Sequence, residues 1–453
     1  MPTRMVDGQD SRKVNASPTK QLFIRLLTRD IDLSAAIMDL VDNCLDGAKR
    51  IRGKRSLNGL SIDIRTSQRE FEISDNCGGI PVDVARDYAF RFGRAPNAPA
   101  TSFSIGRFGV GMKRAIFKLG DRFRIISATE TSLFEIEEKV SKWEKRDNWD
   151  FEFESDPLIG VRQPKDSVGT TVIVKSLHDD VKKSFDLANW RSSLRRDLEA
   201  RLYKPIGQGL AVSLNGSPIS AKAPRFLSDD KLRPVYRKIT IPDEAKPKDQ
   251  VEVELYCGLI GESDKHAAGW HIYCNDRLVL EADTSEKTGW GYRGAGLRSP
   301  KFHGQYNNFL GFAFFRSADP DRLPWTTTKT SIDMESAIYR QALLEMVKLM
   351  LPVKTFLDEV KKERESGSDD PGPLQKRIKQ SESAPYNEVS RRRVFDAPKP
   401  SKKSSKKANE TRIVYYRPKS KVQEAKSRLD VTTNQQVGEA TFDYFYSAEV
   451  EDE

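Results

Sequence analysis

Residues 38–50, MDLVDNCLDGAKR, decide the fold. Asp39, Asn43 and Asp46 stand at i, i+4 and i+7. At about 100° per residue they share one helical face, with Ile37, Leu40, Val41 and Leu45 opposite. Such a helix packs its apolar side on a sheet and shows two carboxylates and an amide to a cleft. Oxygen donors of this kind suit Mg²⁺, and a nearby carboxylate can deprotonate water.

Two further stretches extend the pattern. Residues 73–81, ISDNCGGIP, end a strand in Asp75 and a Gly-Gly turn. A carboxylate there can accept a hydrogen bond from the exocyclic amine of a base, and glycines let a ring approach the backbone. Residues 104–115, SIGRFGVGMKRA, hold Gly106, Gly109 and Gly111 before a helix expected from about Val110 to Leu119. Free N–H groups at that start suit a triphosphate. Taken singly, each stretch fits a plain turn or a solvated helix face. Their order within one hundred residues points to an ATP site.

The constellation resembles the GHKL ATPase superfamily of gyrase B, the heat-shock chaperone, histidine kinases and MutL. The likeness runs from about Ser17 to Leu177 and more weakly to about Ile332. It is nearest to the microrchidia-type (MORC) and chaperone-type members, through GRFGVGMK at 106–113. The resemblance implies ATP and Mg²⁺ as ligands. Asn43 falls at the metal-ligand position and Asp46 at the third motif position. Asp39 stands where the family usually has a catalytic Glu, one methylene longer. Asp75 matches the adenine-amine acceptor, with Gly79 and Ile80 beside it, and Cys77 replaces the first glycine of that motif. Gly106, Gly109, Val110 and Gly111 fall around the phosphates, and 95–104 on the lid over ATP. Thr170, in GTTVIVKSL at 169–177, matches the residue that holds adenine through water. Members with a second, transducer domain send a Lys or Arg back to the γ-phosphate. Lys329, in LPWTTTKTSID at 323–333, falls at that place. The family also implies an ATP-dependent homodimer. A histidine kinase would need a phospho-acceptor His on a preceding helical hairpin, and no His occurs before His178.

The fold class expected is α/β (α+β): a two-layer sandwich with a largely antiparallel sheet, then a second α/β transducer-like domain and a basic C-terminal segment. The expected division is a disordered 1–16, an ATP-binding domain at 17–184, and a second domain at 185–360. A basic linker at 361–411 and a small module or tail at 412–453 follow. The second domain should hold an Asn-Gly hairpin at 210–219, strands near 251–257, 270–274 and 309–317, and a helix from Met334 broken at Pro352. Another strand is expected at Trp149–Phe153. The C-terminal FDYFYSAEVEDE should be an aromatic strand.

The chain has 453 residues, 37% hydrophobic and 31% charged, with a net charge of +10. No apolar run is long enough for a membrane span. The N-terminus has no apolar signal core, and the four cysteines have no CxxC spacing, so a cytoplasmic protein with reduced thiols is expected. The four histidines form no metal-ligand pattern. Residues 373–422 carry fifteen Lys or Arg against four acids, so this segment holds the whole excess of charge. That run suits a nucleic-acid backbone, and it equally suits a solvated linker.

Overall fold

The computed structural model describes residues 16, 18–29, 31–53, 55–93, 105, 109–220, 223–242, 250–261, 267–365, 372–398 and 413–450. The expected lid at 95–104, the N-terminal tail and Gly106 lie outside them. The chain divides into two units, Met1–Lys354 with Glu382–Asp396, and Thr355–Ser381 with Ala397–Glu453.

The first unit opens with helices α1 (Lys20–Arg29) and α2 (Leu33–Arg52). Asp32 caps α2, its side chain accepting from Ala35 N at 2.7 Å. Basic residues fill the last turn of α2, where they complement the helix dipole. The hairpin β1 (Ser61–Thr66) and β2 (Glu70–Asp75) alternates as expected, burying Ile62, Ile64, Phe71 and Ile73. Then come α3 (Val82–Val84), α4 (Gly111–Leu119), β3 (Gly120–Ala128), β4 (Ser132–Lys139) and α5 (Val140–Trp143). They are followed by β5 (Leu158–Ile159), β6 (Gly169–Leu177), α6 (Asp179–Asp186), α7 (Ala188–Gly207), β7 (Ala211–Leu214) and β8 (Ser217–Pro218). The sheet runs β5-β4-β3-β6-β2-β1-β7-β8. All its pairs are antiparallel except β1 with β7.

Two expectations change here. The Asn-Gly hairpin forms, with Asn215 and Gly216 at φ +51° and +74° as a two-residue turn requires. However, its first strand extends the first sheet beside β1 rather than the second sheet. Trp149–Phe153 is not a strand. Its aromatic residues instead fill a cluster in which Trp149 meets Phe23, Phe92 and Trp143, and Phe151 meets Phe123.

The second sheet, also in this unit, runs β10 (Val235–Ile241), β11 (Val251–Leu259), β16 (Phe309–Arg316), β12 (Gly269–Cys274), β13 (Arg277–Asp283). Strand β12 is buried at every position and β16 at all but the last, which explains their unbroken apolar sequences. Outside this sheet, β9 (Arg225–Leu227) pairs with β17 (Ser383–Pro385), and β14 (Arg293–Gly294) with β15 (Leu297–Arg298). The expected linker at 361–411 is therefore structured in part. Besides β17, Tyr386 sits in a core of Phe226, Tyr256, Tyr273, Phe312 and Phe314.

Helix α8 (Ala337–Glu365) runs through Pro352 without a break. The proline ring is exposed, and neighbours Leu349, Met350 and Val353 are buried, so packing outweighs one lost hydrogen bond. In the second unit lie α9 (Pro373–Gln380), α10 (Lys419–Leu429) and α11 (Asn434–Glu449). The aromatic FDYFYSAE is helical rather than a strand, because a Thr433/Gln436 capping box starts α11. Among the described residues no helix is long and apolar enough to cross a membrane.

Candidate functional site

One cleft opens between α2, β2, β6 and the start of α4. From α2 it takes Leu40, Asn43, Cys44, Gly47 and Arg50, a single helical stripe. From the strands and the following turn come Asp75, Gly79, Ile80 and Thr170. Asp75 and Thr170 stand side by side because β2 and β6 pair antiparallel with these two residues in register. Asp75 Oδ1 accepts from Cys77 N at 2.7 Å. Burial pushes the Asp75 carboxyl above its usual range, against the pull of that N–H.

The turn after β2 explains how the site tolerates a cysteine in place of a glycine. Cys77 has no positive φ, whereas Gly78 and Gly79 stand at +92° and +63°. A Cβ on Gly79 would lie 2.0 Å from the Ala128 carbonyl oxygen, so glycine is needed there. Ile80 N donates to Ser127 Oγ at 2.8 Å, and Ser127 Oγ shares a second 2.8 Å bond with Thr170 Oγ1. Ser127 thus ties the turn to Thr170. Nothing in its local sequence announced this, since it lies at an ordinary strand position.

The third stretch closes the other side. Gly109 turns at φ +64°, and Val110 caps α4 through its carbonyl, which accepts from Arg114 N at 2.8 Å. Gly111 packs so close to α2 that a Cβ there would lie 3.4 Å from Asp39 Oδ2. Asp46 accepts from Ile105 N with both oxygens, at 2.8 and 3.1 Å, and so anchors the chain near the glycine turn.

Helix α2 is less two-sided than its spacing predicted. Asn43 is exposed in the cleft, but Asp39 is 1% exposed, as is Asp42. Residues from Ala35 to Asp42 are all buried, with Leu40 lining the cleft. The expected cleft face therefore splits, with Asn43 in the cleft, Asp39 in a buried charge cluster and Asp46 on the chain at Ile105.

That cluster gathers residues far apart in sequence. Arg114 donates to Asp39 Oδ2 from Nε at 3.1 Å and also from Nη2. Arg277, the first residue of β13, pairs with Asp42 Oδ2, and its Nη1 lies 3.7 Å from Asp39 Oδ1. Lys329 Nζ lies 3.6 Å from Asp42 Oδ2 and 3.9 Å from Asp39 Oδ1. Lys329 arrives on a tight turn between bridged Trp325 and Ile332, with φ +55° and its N–H on the Thr326 carbonyl. A left-handed lysine is costly and is held by its surroundings. Burial first, then the Arg277 charge, lower its pKa to about 8 against the pull of Asp39.

Sequence reasoning found Asp39 and Lys329 but missed Asp42, Arg114 and Arg277. Asp42 carried one available signal, its place three residues after Asp39 on a helix. Arg277 carried another, a charge directly before the apolar run Leu278–Leu280. Among the described residues no group of three or more His, Cys, Asp or Glu converges to hold a metal.

A comparison with curated proteins returns no match. Residues 31–170 match the family described as "Histidine kinase-, DNA gyrase B-, and HSP90-like ATPase". That match spans Asp39 through Thr170 and supports placing this segment, and the cleft it lines, in the GHKL superfamily of ATP-binding domains.

Proposed function

We propose that this chain is a Mg²⁺-dependent ATPase of slow turnover that uses ATP as a conformational and dimerisation switch. The observation that carries the reading is the arrival of Lys329, nearly three hundred residues along the chain, beside the carboxylate of Asp39. The cleft fits adenosine at one end, where the half-buried Asp75 carboxyl can accept from the adenine amine and Thr170 stands beside it. At the other end, Asn43 offers an amide oxygen, and the start of α4 offers backbone N–H groups. A Mg²⁺ ion would be held by Asn43 together with the phosphates, and would supply charge neutralisation at the β- and γ-oxygens. Asp39 would orient or deprotonate the attacking water, and Lys329 would balance charge at the γ-phosphate.

The test separates binding from turnover. Asp39→Asn should bind ATP and lose phosphate release by about 10²-fold or more, the usual worth of a positioned base. Removing Mg²⁺ with a chelator should silence the wild type as well. Full phosphate release by Asp39→Asn would place the base elsewhere.

A second reading is a nucleotide sensor with little turnover. It is favoured by Asp39 being buried and engaged by Arg114, which holds its Oδ2 away from water. Wild-type protein that binds ATP but releases no phosphate above background would select it. As for what the switch drives, the basic 373–422 segment favours nucleic acid, with remodelling of a protein client as the alternative.

A further inference from the structure

Two carboxylates and three cations meet where α2, α4, β13 and the 325–332 turn converge. Arg114 takes Asp39, and Arg277 takes Asp42. Lys329 makes two looser ion pairs, 3.6 Å to Asp42 and 3.9 Å to Asp39, both longer than a normal hydrogen bond. Besides Asp42, the charges that act on Lys329 are Arg277, Asp39, Asp46 and Arg114. Lys329 is thus held beside two carboxylates by long ion pairs, with a hydrogen bond to neither. Asp42 supplies the reason, because the oxygen within reach of Lys329 is the one already paired with Arg277.

We propose that Arg277 is a positioning residue which, by occupying Asp42, keeps the Lys329 ammonium available for the terminal phosphate of ATP. The inference rests on Lys329 being the γ-phosphate ligand. Without a guanidinium at position 277, Asp42 is a buried carboxylate with one cation in reach. An uncompensated buried charge is strongly unfavourable, so Lys329 closes the remaining gap and pairs with Asp42. It must then leave a carboxylate to meet a phosphate, and the protein loses its preference for the triphosphate. Strand β13 acquires a role by the same argument. Its first residue couples the second sheet to helix α2 through ion pairs with Asp42 and Asp39.

The experiment compares affinities of the full chain for Mg²⁺-ADP and for a Mg²⁺-bound non-hydrolysable ATP analogue, by calorimetry. The proteins are wild type, Lys329→Ala, Arg277→Met, Arg277→Lys, and the double variant Asp42→Asn with Arg277→Met. Lys329→Ala and Arg277→Met should each lower the preference for the analogue over ADP by about tenfold or more, the worth of a charged contact. ADP affinity itself should stay at the wild-type value. The double variant should regain the preference, because the carboxylate that captures Lys329 is gone. Arg277→Lys should keep it. Damage to the fold would instead weaken both nucleotides together. If Arg277→Met does not fold, the double variant and Arg277→Lys carry the test, and loss of preference in both overturns the proposal. It is also overturned if Lys329→Ala loses the preference while Arg277→Met keeps it. An unchanged preference in Lys329→Ala would remove the γ-phosphate reading itself, and the inference with it.

Discussion

Asp75 is the residue on which nucleotide affinity should turn. Asp75→Asn removes a charged acceptor and turns an amide donor face toward the adenine amine. The cost should be roughly 1.5–3 kcal/mol of ATP binding. Calorimetry on the full chain checks it, and unchanged affinity would remove Asp75 from the site. Lys329 gives a pH signature. Its pKa of about 8 in the fold returns to 10.5 in the unfolded chain. Between those values the unfolded state binds the extra proton, so this group's contribution to stability rises with pH across that window. Wild type should therefore gain on Lys329→Met in urea midpoints measured from below pH 8 to above pH 10. A difference that stays flat would mean that the ammonium is not depressed. Motif spacing, which encodes a face or a turn, picked out Asn43 and Asp75, which line the cleft, but it also placed Asp39 on that face, whereas the structure buries it in the charge cluster. Arg277 was not legible, because the charge it neutralises lies on helix α2, more than two hundred residues away, and no local pattern records that partnership.

At the scale of elements, legibility followed the source of each element's stability. The β1–β2 hairpin and α2 are specified locally, by alternation and by the Asp32 cap, and they form where expected. Where packing decides, local reading failed. Pro352 did not stop α8, and Trp149–Phe153 entered an aromatic cluster instead of pairing as a strand. The stretch at 382–396 was the most misleading, because its flanking charges read as linker while Tyr386 is the part that matters. Its ring lies 5.0 Å from Phe314 and 5.5 Å from Tyr256. Tyr386→Ala should cost about 3 kcal/mol, in the range for buried aromatic truncations. Urea denaturation measures it, and a change near zero would restore the linker reading.

Across the whole molecule, the basic charge is better divided than its run in sequence implies. Residues 382–396 belong to the first unit, so the nucleic-acid hypothesis is best tested on the densest remaining run, 399–412, with six basic residues against one acid. Full-length protein should bind duplex DNA with little sequence preference. If all six side chains contact phosphates, the log–log salt slope should approach about −5. Deleting 399–412 should abolish binding and leave ATP affinity alone. Gel shifts at two salt concentrations decide, and equal binding by both proteins would turn the search toward a protein client. The charge cluster on α2 also has a consequence for how this protein comes into being. The cleft-lining residues, and Arg114 that pairs with Asp39, are all synthesised by position 172, but Arg277, the close partner of Asp42, and Lys329 are not. At roughly 5–20 residues per second, a nascent chain waits on the order of ten seconds or more between the two events. During that interval α2 cannot settle into its final burial without stranding a carboxylate. Helix α2 of the emerging chain should therefore reach its full stability only once the second sheet, with Arg277, has been made.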